Sequence, residues 1–181
     1  MSWADASFSR TIRAAALLLA SAALAGCFTP LYGDPTVVSG GRNAQAALRD
    51  LEIPEIPTRN GVVLRNELIY LTQGGGSRAA SPSHVLRVSL SIDTVPLALN
   101  TAAGRPSAQA VSLVGNYTIS PVGEPRTIIH RGTAFATASF DRTAQRLASD
   151  RAVIEAQERA AKSLAESIVT QVAGWYATQP R

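Results

Sequence analysis

Cysteine is almost missing from this sequence: Cys27 is the only one in 181 residues. An exported protein braced by disulfides carries its cysteines in pairs, so a single thiol excludes that framework. Lysine is equally scarce, with Lys162 alone, and the formal charge of +4 therefore comes from arginine. Codon use in a GC-rich genome accounts for that bias, given the abundance of alanine; a surface suited to phosphate groups accounts for it too, because guanidinium pairs with them bidentately. Histidine occurs twice, as His84 and His130, each flanked by strand-like residues rather than by Cys, Asp or Glu at ligand spacing. That pattern points away from a metal site. No G-x-S-x-G, no Cys–His pair and no glycine-rich nucleotide fingerprint occurs, and the carboxylates are scattered singly. A hydrolase would need acid and base groups clustered, so the expectation is a non-catalytic protein without cofactor. Aromatic residues make up 6% of the chain and are not interleaved with the basic ones on the strand-like segments. Nucleic acid is not an expected partner.

Long apolar runs are also absent, with one exception. Arg10 and Arg13 precede Ala14–Ala25, which is almost uninterruptedly apolar. Some twelve residues of helix rise about 18 Å, short of the roughly 30 Å of hydrocarbon in a bilayer, so the run reads as the h-region of a secretory signal rather than a span. It ends in Leu24-Ala25-Gly26-Cys27, which resembles the bacterial lipobox. Small residues let the backbone enter the signal peptidase, and the thiol carries the lipid. The resemblance implies a cleaved signal peptide over 1–26 and lipid on Cys27; more than one acyl chain makes such anchoring stable. Phe28, rather than Asp, follows the cysteine, which in enteric-type lipoproteins permits transfer to the outer membrane.

After Cys27 the chain runs through Phe28-Thr29-Pro30-Leu31-Tyr32-Gly33 into a stretch rich in Gly, Ser, Thr and Pro. This reads as a tether over 27–47, followed by one domain over 48–181, a length that suits one core. Leu48 to Ile56, with Pro54 and Pro57 alongside, suits a short edge strand. Thr58 or Asn60 can cap a helix bearing Leu64, Leu68 and Leu71 on one face, ended by Gly74-Gly75-Gly76. No P-loop pattern follows that glycine triplet, so it reads as a connector.

The middle of the chain alternates. Leu86, Val88, Leu90 and Ile92 interleave with Arg87, Ser89, Ser91 and Asp93, and Val111, Leu113, Tyr117 and Ile119 do the same against Ser112, Asn116, Thr118 and Ser120. Each reads as a strand with one buried and one wet face. Asn100 to Pro106 reads as the hairpin loop between them, and Pro121 to Pro125 as a turn into a third strand, Arg126 to Phe140, whose facing is open because Ile128 and Phe135 fall on opposite sides. From about Asp150 to Ala177, Ile154, Ala161, Ala165, Ile168, Val172 and Trp175 form a helical stripe, with Glu155–Arg159 and Glu158–Lys162 as i,i+4 pairs. Asp141 to Ser149 starts this helix or precedes it.

The order strand, helix, three strands, helix gives an α+β two-layer sandwich: about four strands, mostly antiparallel, with two helices packed on one face. The other face would then display Arg87, Ser89, Ser91, Asn116 and Thr118.

Cys27-Phe28-Thr29-Pro30-Leu31-Tyr32-Gly33, then Arg59-Asn60-Gly61 with Leu64-Arg65-Asn66-Glu67-Leu68, three strands and a long alanine-rich helix together resemble the LPS-assembly lipoprotein family, LptE, in its alphaproteobacterial form. Val62 stands where glutamine would be expected. The resemblance implies an outer-membrane lipoprotein, lipid-anchored on the periplasmic side, that sits in the lumen of a large β-barrel, helps it assemble and assists delivery of lipopolysaccharide. A wide barrel has a polar interior, so a polar sheet face suits a plug. Arg87 and Arg131 are candidates for pairing with lipid A phosphates; as solvated surface arginines or barrel contacts they would do neither more nor less than other surface charges. An auxiliary lipoprotein of a lipid-transporting ABC system is the alternative reading.

Overall fold

The computed structural model describes residues 44–74, 80–100 and 105–179, with backbone alone for 98–100 and 105–107. The expected signal peptide, Cys27 and nearly all of the expected tether lie outside the described residues, as do Gly75 and Gly76.

In chain order the elements are α1 (Ala44–Arg49), β1 (Leu51–Glu52), α2 (Arg59–Gln73), β2 (His84–Asn100), β3 (Arg105–Pro121), β4 (His130–Asp141) and α3 (Arg146–Thr178). The strands form one four-stranded sheet in sequence order, β1 parallel to β2 and the rest antiparallel. β1, α2 and β2 thus make a β-α-β crossover leading into a β-meander. α3 lies across β3 and β4, and α2 packs beside α3. This is the expected sandwich, with a third short helix added.

That helix occupies part of the segment expected to be extended. Ala44 and Leu48, one turn apart, are both buried, so α1 is held by its core-facing side. The edge strand shrinks to Leu51–Glu52, matched with His84 and Val85. Pro54 and Pro57 follow and cannot donate to a ladder, which confines the pairing to its first residues.

α2 begins where Thr58 Oγ1 accepts from the Gly61 amide at 2.9 Å and ends at Gly74 in the left-handed region, φ 63°. Thr58, not Asn60, is the cap; Asn60 is itself buried in the first turn. Gly61 is required by space: a Cβ there would stand 2.6 Å from the Ile56 carbonyl oxygen. Arg65 Nε donates to the Ile53 carbonyl at 3.0 Å, and Leu64 and Leu68 are fully buried. The residues that carry the sequence resemblance therefore include a cap partner, a brace and two core side chains.

β2 and β3 run further than their patterns suggested. β2 continues to Asn100 and β3 starts at Arg105, so the strands enter the expected Asn100–Pro106 loop from both sides. β4 starts at His130 rather than Arg126. Its facing is settled by small residues: Ala134, Ala136 and Phe140 are buried, while Phe135 is 76% exposed.

α3 begins at Arg146, a turn before the point where the apolar stripe starts. Ser149 holds that start in place, its Oγ accepting from Thr143 N at 3.1 Å and donating to Thr143 O at 3.0 Å. The buried line runs through Ala156, Ala160, Ala161, Leu164, Ala165, Ile168, Val169, Val172, Ala173 and Tyr176, with Ile154 and Trp175 at its half-buried flanks. Glu155 pairs with Arg159 at 3.0 Å as expected, but Glu158 reaches across to Arg59 at 3.4 Å instead of to Lys162. The alanines have a packing reason. Gly115 on β3 lies beneath α3, where an added Cβ would be 3.3 Å from Leu164 Cδ2. Small side chains on both layers let helix and sheet approach closely.

Candidate functional site

The sheet has one covered face and one open face. On the covered side, Tyr117 on β3, His130 on β4 and Trp175 on α3 join at the end where β2 starts: His130 stacks on Trp175 at 4.7 Å between centroids, with planes 15° apart. The Tyr117 hydroxyl donates to Gln171 Oε1 at 2.9 Å, and burial pushes its pKa above 10.0. Burial likewise pushes His130 below 6.5. Each group sits among rings and apolar chains, with no nucleophile or carboxylate in hydrogen-bond contact. Among the described residues no group of three or more His, Cys, Asp or Glu side chains is placed to hold a metal ion.

The open face holds the arginines singled out by sequence. Arg87 on β2 is matched with Thr118 on β3, and Thr118 with Arg131 on β4, so the three form one row across the sheet. Directly paired residues share a face, and two strand spacings set the arginine backbones about 10 Å apart. Both are exposed. Arg87 Nη1 donates to Ser120 Oγ at 2.7 Å, a neutral partner that orients the guanidinium, and Glu52 on β1, matched with Val85, shares the face two residues away. Asp93 shares this face but lies six residues along β2, roughly 20 Å away, where attraction through water is about 0.2 kcal/mol. The row is thus a two-cation surface able to take an anion with two charged groups, or two anionic groups side by side.

The next two rows carry no charge. Ser89, Asn116 and Thr133 form the next row, where Thr133 Oγ1 donates to Asn116 Oδ1 at 2.8 Å. Ser91, Val114 and Phe135 form the one after. Phe135 was not anticipated as a surface feature. Its signal lay in the covered neighbours, Ala134 and Ala136, whose size gives a weak hydrophobic pattern. A separate cleft of about 500 Å³ opens beside the start of α2, lined by Glu55, Ile56, Pro57, Thr58, Val62 and Arg65.

No family profile matches the sequence, and no curated protein does either. Solved structures do. A lipoprotein from Caulobacter crescentus aligns with a TM-score of 0.60 at 20% identity, covering 75% of this chain and 97% of that one. The two chains share a fold. Rare lipoprotein B from Shewanella oneidensis aligns at TM-score 0.52 and 13% identity, over 69% of this chain and 92% of that one. Lipoprotein B from Nitrosomonas europaea aligns at TM-score 0.50 and 12% identity, over 71% and 83%. The alignments cover most of each of these chains; the identities are low, so the likeness is one of fold.

Proposed function

We propose that this chain is an outer-membrane lipoprotein, anchored through lipid on Cys27 at the periplasmic side, that plugs and helps assemble the β-barrel through which lipopolysaccharide reaches the outer leaflet. The role is non-catalytic. The observation that carries it is the open face: rows bearing Ser, Thr and Asn beside Val114 and Phe135, headed by the exposed Arg87 and Arg131 in the Arg87–Thr118–Arg131 row. A barrel lumen is polar, so its occupant needs hydrogen-bonding groups along a face rather than an apolar patch. The fold it shares with bacterial lipoproteins and the lipobox-like Leu24-Ala25-Gly26-Cys27 support delivery to the envelope.

The test is affinity purification of the tagged protein from detergent-solubilised outer membrane. A very large β-barrel should accompany it in stoichiometric amount. Recovery of an inner-membrane permease with its substrate-binding protein would instead place the chain with lipid-transporting ABC systems.

A further inference from the structure

The two edges of the sheet differ. Beyond its two-residue match with β1, the outer edge of β2 carries Pro96, one of the devices that keep other chains from pairing with a strand. β4, at the other edge, contains no charge and no proline from Gly132 to Phe140. Register shows which of its peptide groups face outward. Val122 N donates to the Ser83 carbonyl at 3.0 Å, so the even-numbered residues of β3 bond toward β2 and the odd-numbered ones toward β4. Their matches on β4 are its even-numbered residues. The amides and carbonyls of Arg131, Thr133, Phe135, Thr137 and Ser139 therefore point away from the sheet, and all five residues are exposed. The Ser139 carbonyl agrees, accepting from Arg159 Nη2 on α3 at 2.9 Å.

The order of side chains along this edge is self-complementary. Arg131 and Asp141 lie five residues to either side of Ala136. Antiparallel pairing with β4 of a second copy, about a two-fold axis at Ala136, matches Arg131 with the partner's Asp141, Thr133 with its Ser139 and Phe135 with its Thr137, each pair occurring twice. Opposite charges, hydroxyl hydrogen bonds and an aromatic beside a β-branched side chain are the kinds of cross-strand neighbour that stabilise sheets. An axis at Phe135 or Ala134 would instead set Arg131 against Ser139 or Thr137 and leave the charges unmatched. α3 leaves room for the partner. It crosses the sheet obliquely, meeting the edge at Ser139 through Arg159, while its other end packs at the start of β2, where Tyr176 meets His84 with 6.0 Å between ring centroids. Under the two-fold, the overhanging end of one helix faces the withdrawn end of the other. The Ser139 carbonyl has two lone pairs, so the partner's Thr133 amide can join Arg159 there.

We propose that the outer edge of β4 pairs with the same edge of a second copy, antiparallel about Ala136, joining two four-stranded sheets into one of eight. The contact is isologous, the same patch serving both copies. It engages Arg131, which is then unavailable to the two-cation row, and it depends on neither the lipid nor the barrel reading.

The test is sedimentation equilibrium of the full chain carrying Cys27→Ser, in density-matched detergent, with circular dichroism to follow folding. The parent chain should sediment as a monomer–dimer equilibrium. Thr137→Pro removes one outward amide and no bond to β3, so it should abolish the dimer and leave the dichroism unchanged. Arg131→Asp and Asp141→Arg each turn two attractive pairs into two repulsive ones and should weaken association on the order of tenfold or more. The two substitutions in one chain restore opposite charges and should recover it. A monomer at every concentration would overturn the proposal and leave the edge to a strand of another protein. A dimer indifferent to Thr137→Pro, or charge variants that show no recovery when combined, would overturn it equally.

Discussion

Tyr117 and Gly132 face each other across β3 and β4, and the phenol ring lies over the glycine where a side chain would otherwise stand. A methyl group at Gly132 would sit 2.4 Å from the Tyr117 hydroxyl oxygen, so the two positions share one volume. The ring covers backbone that glycine would leave bare and carries the hydrogen bond to Gln171 that fastens β3 to α3.

Gly132→Ala is expected to destabilise the domain by about 1–3 kcal/mol, the usual cost of overpacking. Urea unfolding of the two proteins measures it. Tyr117→Phe should cost about 1 kcal/mol for the lost hydrogen bond, and in that background the alanine variant should lose part of its penalty, because the hydroxyl is one of the atoms it meets. Strict additivity in the double variant would argue that the ring has room to move away.

At the start of α2 the obstruction is backbone. Gly61→Ala drives a methyl toward the Ile56 carbonyl, which cannot swing aside as a side chain would, so the expected loss exceeds that of Thr58→Ala, about 1 kcal/mol for a removed cap. Thermal unfolding of both variants ranks them; the reverse order would mean that the Ile56–Thr58 turn is pliable.

Two rings, Tyr117 buried and His130 half-buried, set opposite limits on the pH range. Burial lowers His130 from 6.5, so on acidification the unfolded chain takes up its proton first, and the stability this group contributes is complete above 6.5 and declines as pH falls through its folded value. Tyr117 is raised from 10.0, so its contribution is complete below 10.0 and declines as pH rises further. Denaturation midpoints between pH 4 and 8, roughly the span over which histidine titrates, should fall more steeply on the acid side for the wild type than for His130→Gln. Parallel curves would remove the histidine from the account.

Replacing Arg87 and Arg131 together by glutamate should abolish most binding of lipopolysaccharide to the protein if the row holds lipid A phosphates, and should leave stability within about 0.5 kcal/mol, both being surface positions. Equilibrium binding to purified lipopolysaccharide decides it. Binding unchanged by the double substitution would assign the arginines to solvent or to the barrel wall.

What sequence could reveal here depended on contrast between neighbours. β2 and β3 alternate large apolar with polar residues, and their faces were legible at once. β4 alternates alanine with threonine, serine and phenylalanine; hydrophobicity points to Phe135 as the inward residue, whereas packing selects Ala134 and Ala136 because α3 comes too close for anything larger. Ile128, the other apparent guide, lies before the strand and is 44% exposed. α1 was missed because Pro54 and Pro57 dominate the reading of their whole neighbourhood, although their reach extends only to the residues around them. The early start of α3 rests on Ser149 and Thr143, a polar clasp without apolar periodicity. Arg87 and Arg131 could be named singly, but that they share a row follows from register through Thr118, which no local pattern encodes.

Gly115, Ala134, Ala136 and the alanines of α3 also set a dimension. With small side chains at the contact between layers, helix and sheet lie close together. Leucine at Ala161 would push α3 outward by the breadth of a side chain, and the change would be felt outside as added girth. Should the protein occupy a barrel lumen as proposed, interior packing and outer fit become one constraint, and a swap deep in the core can fail at the rim.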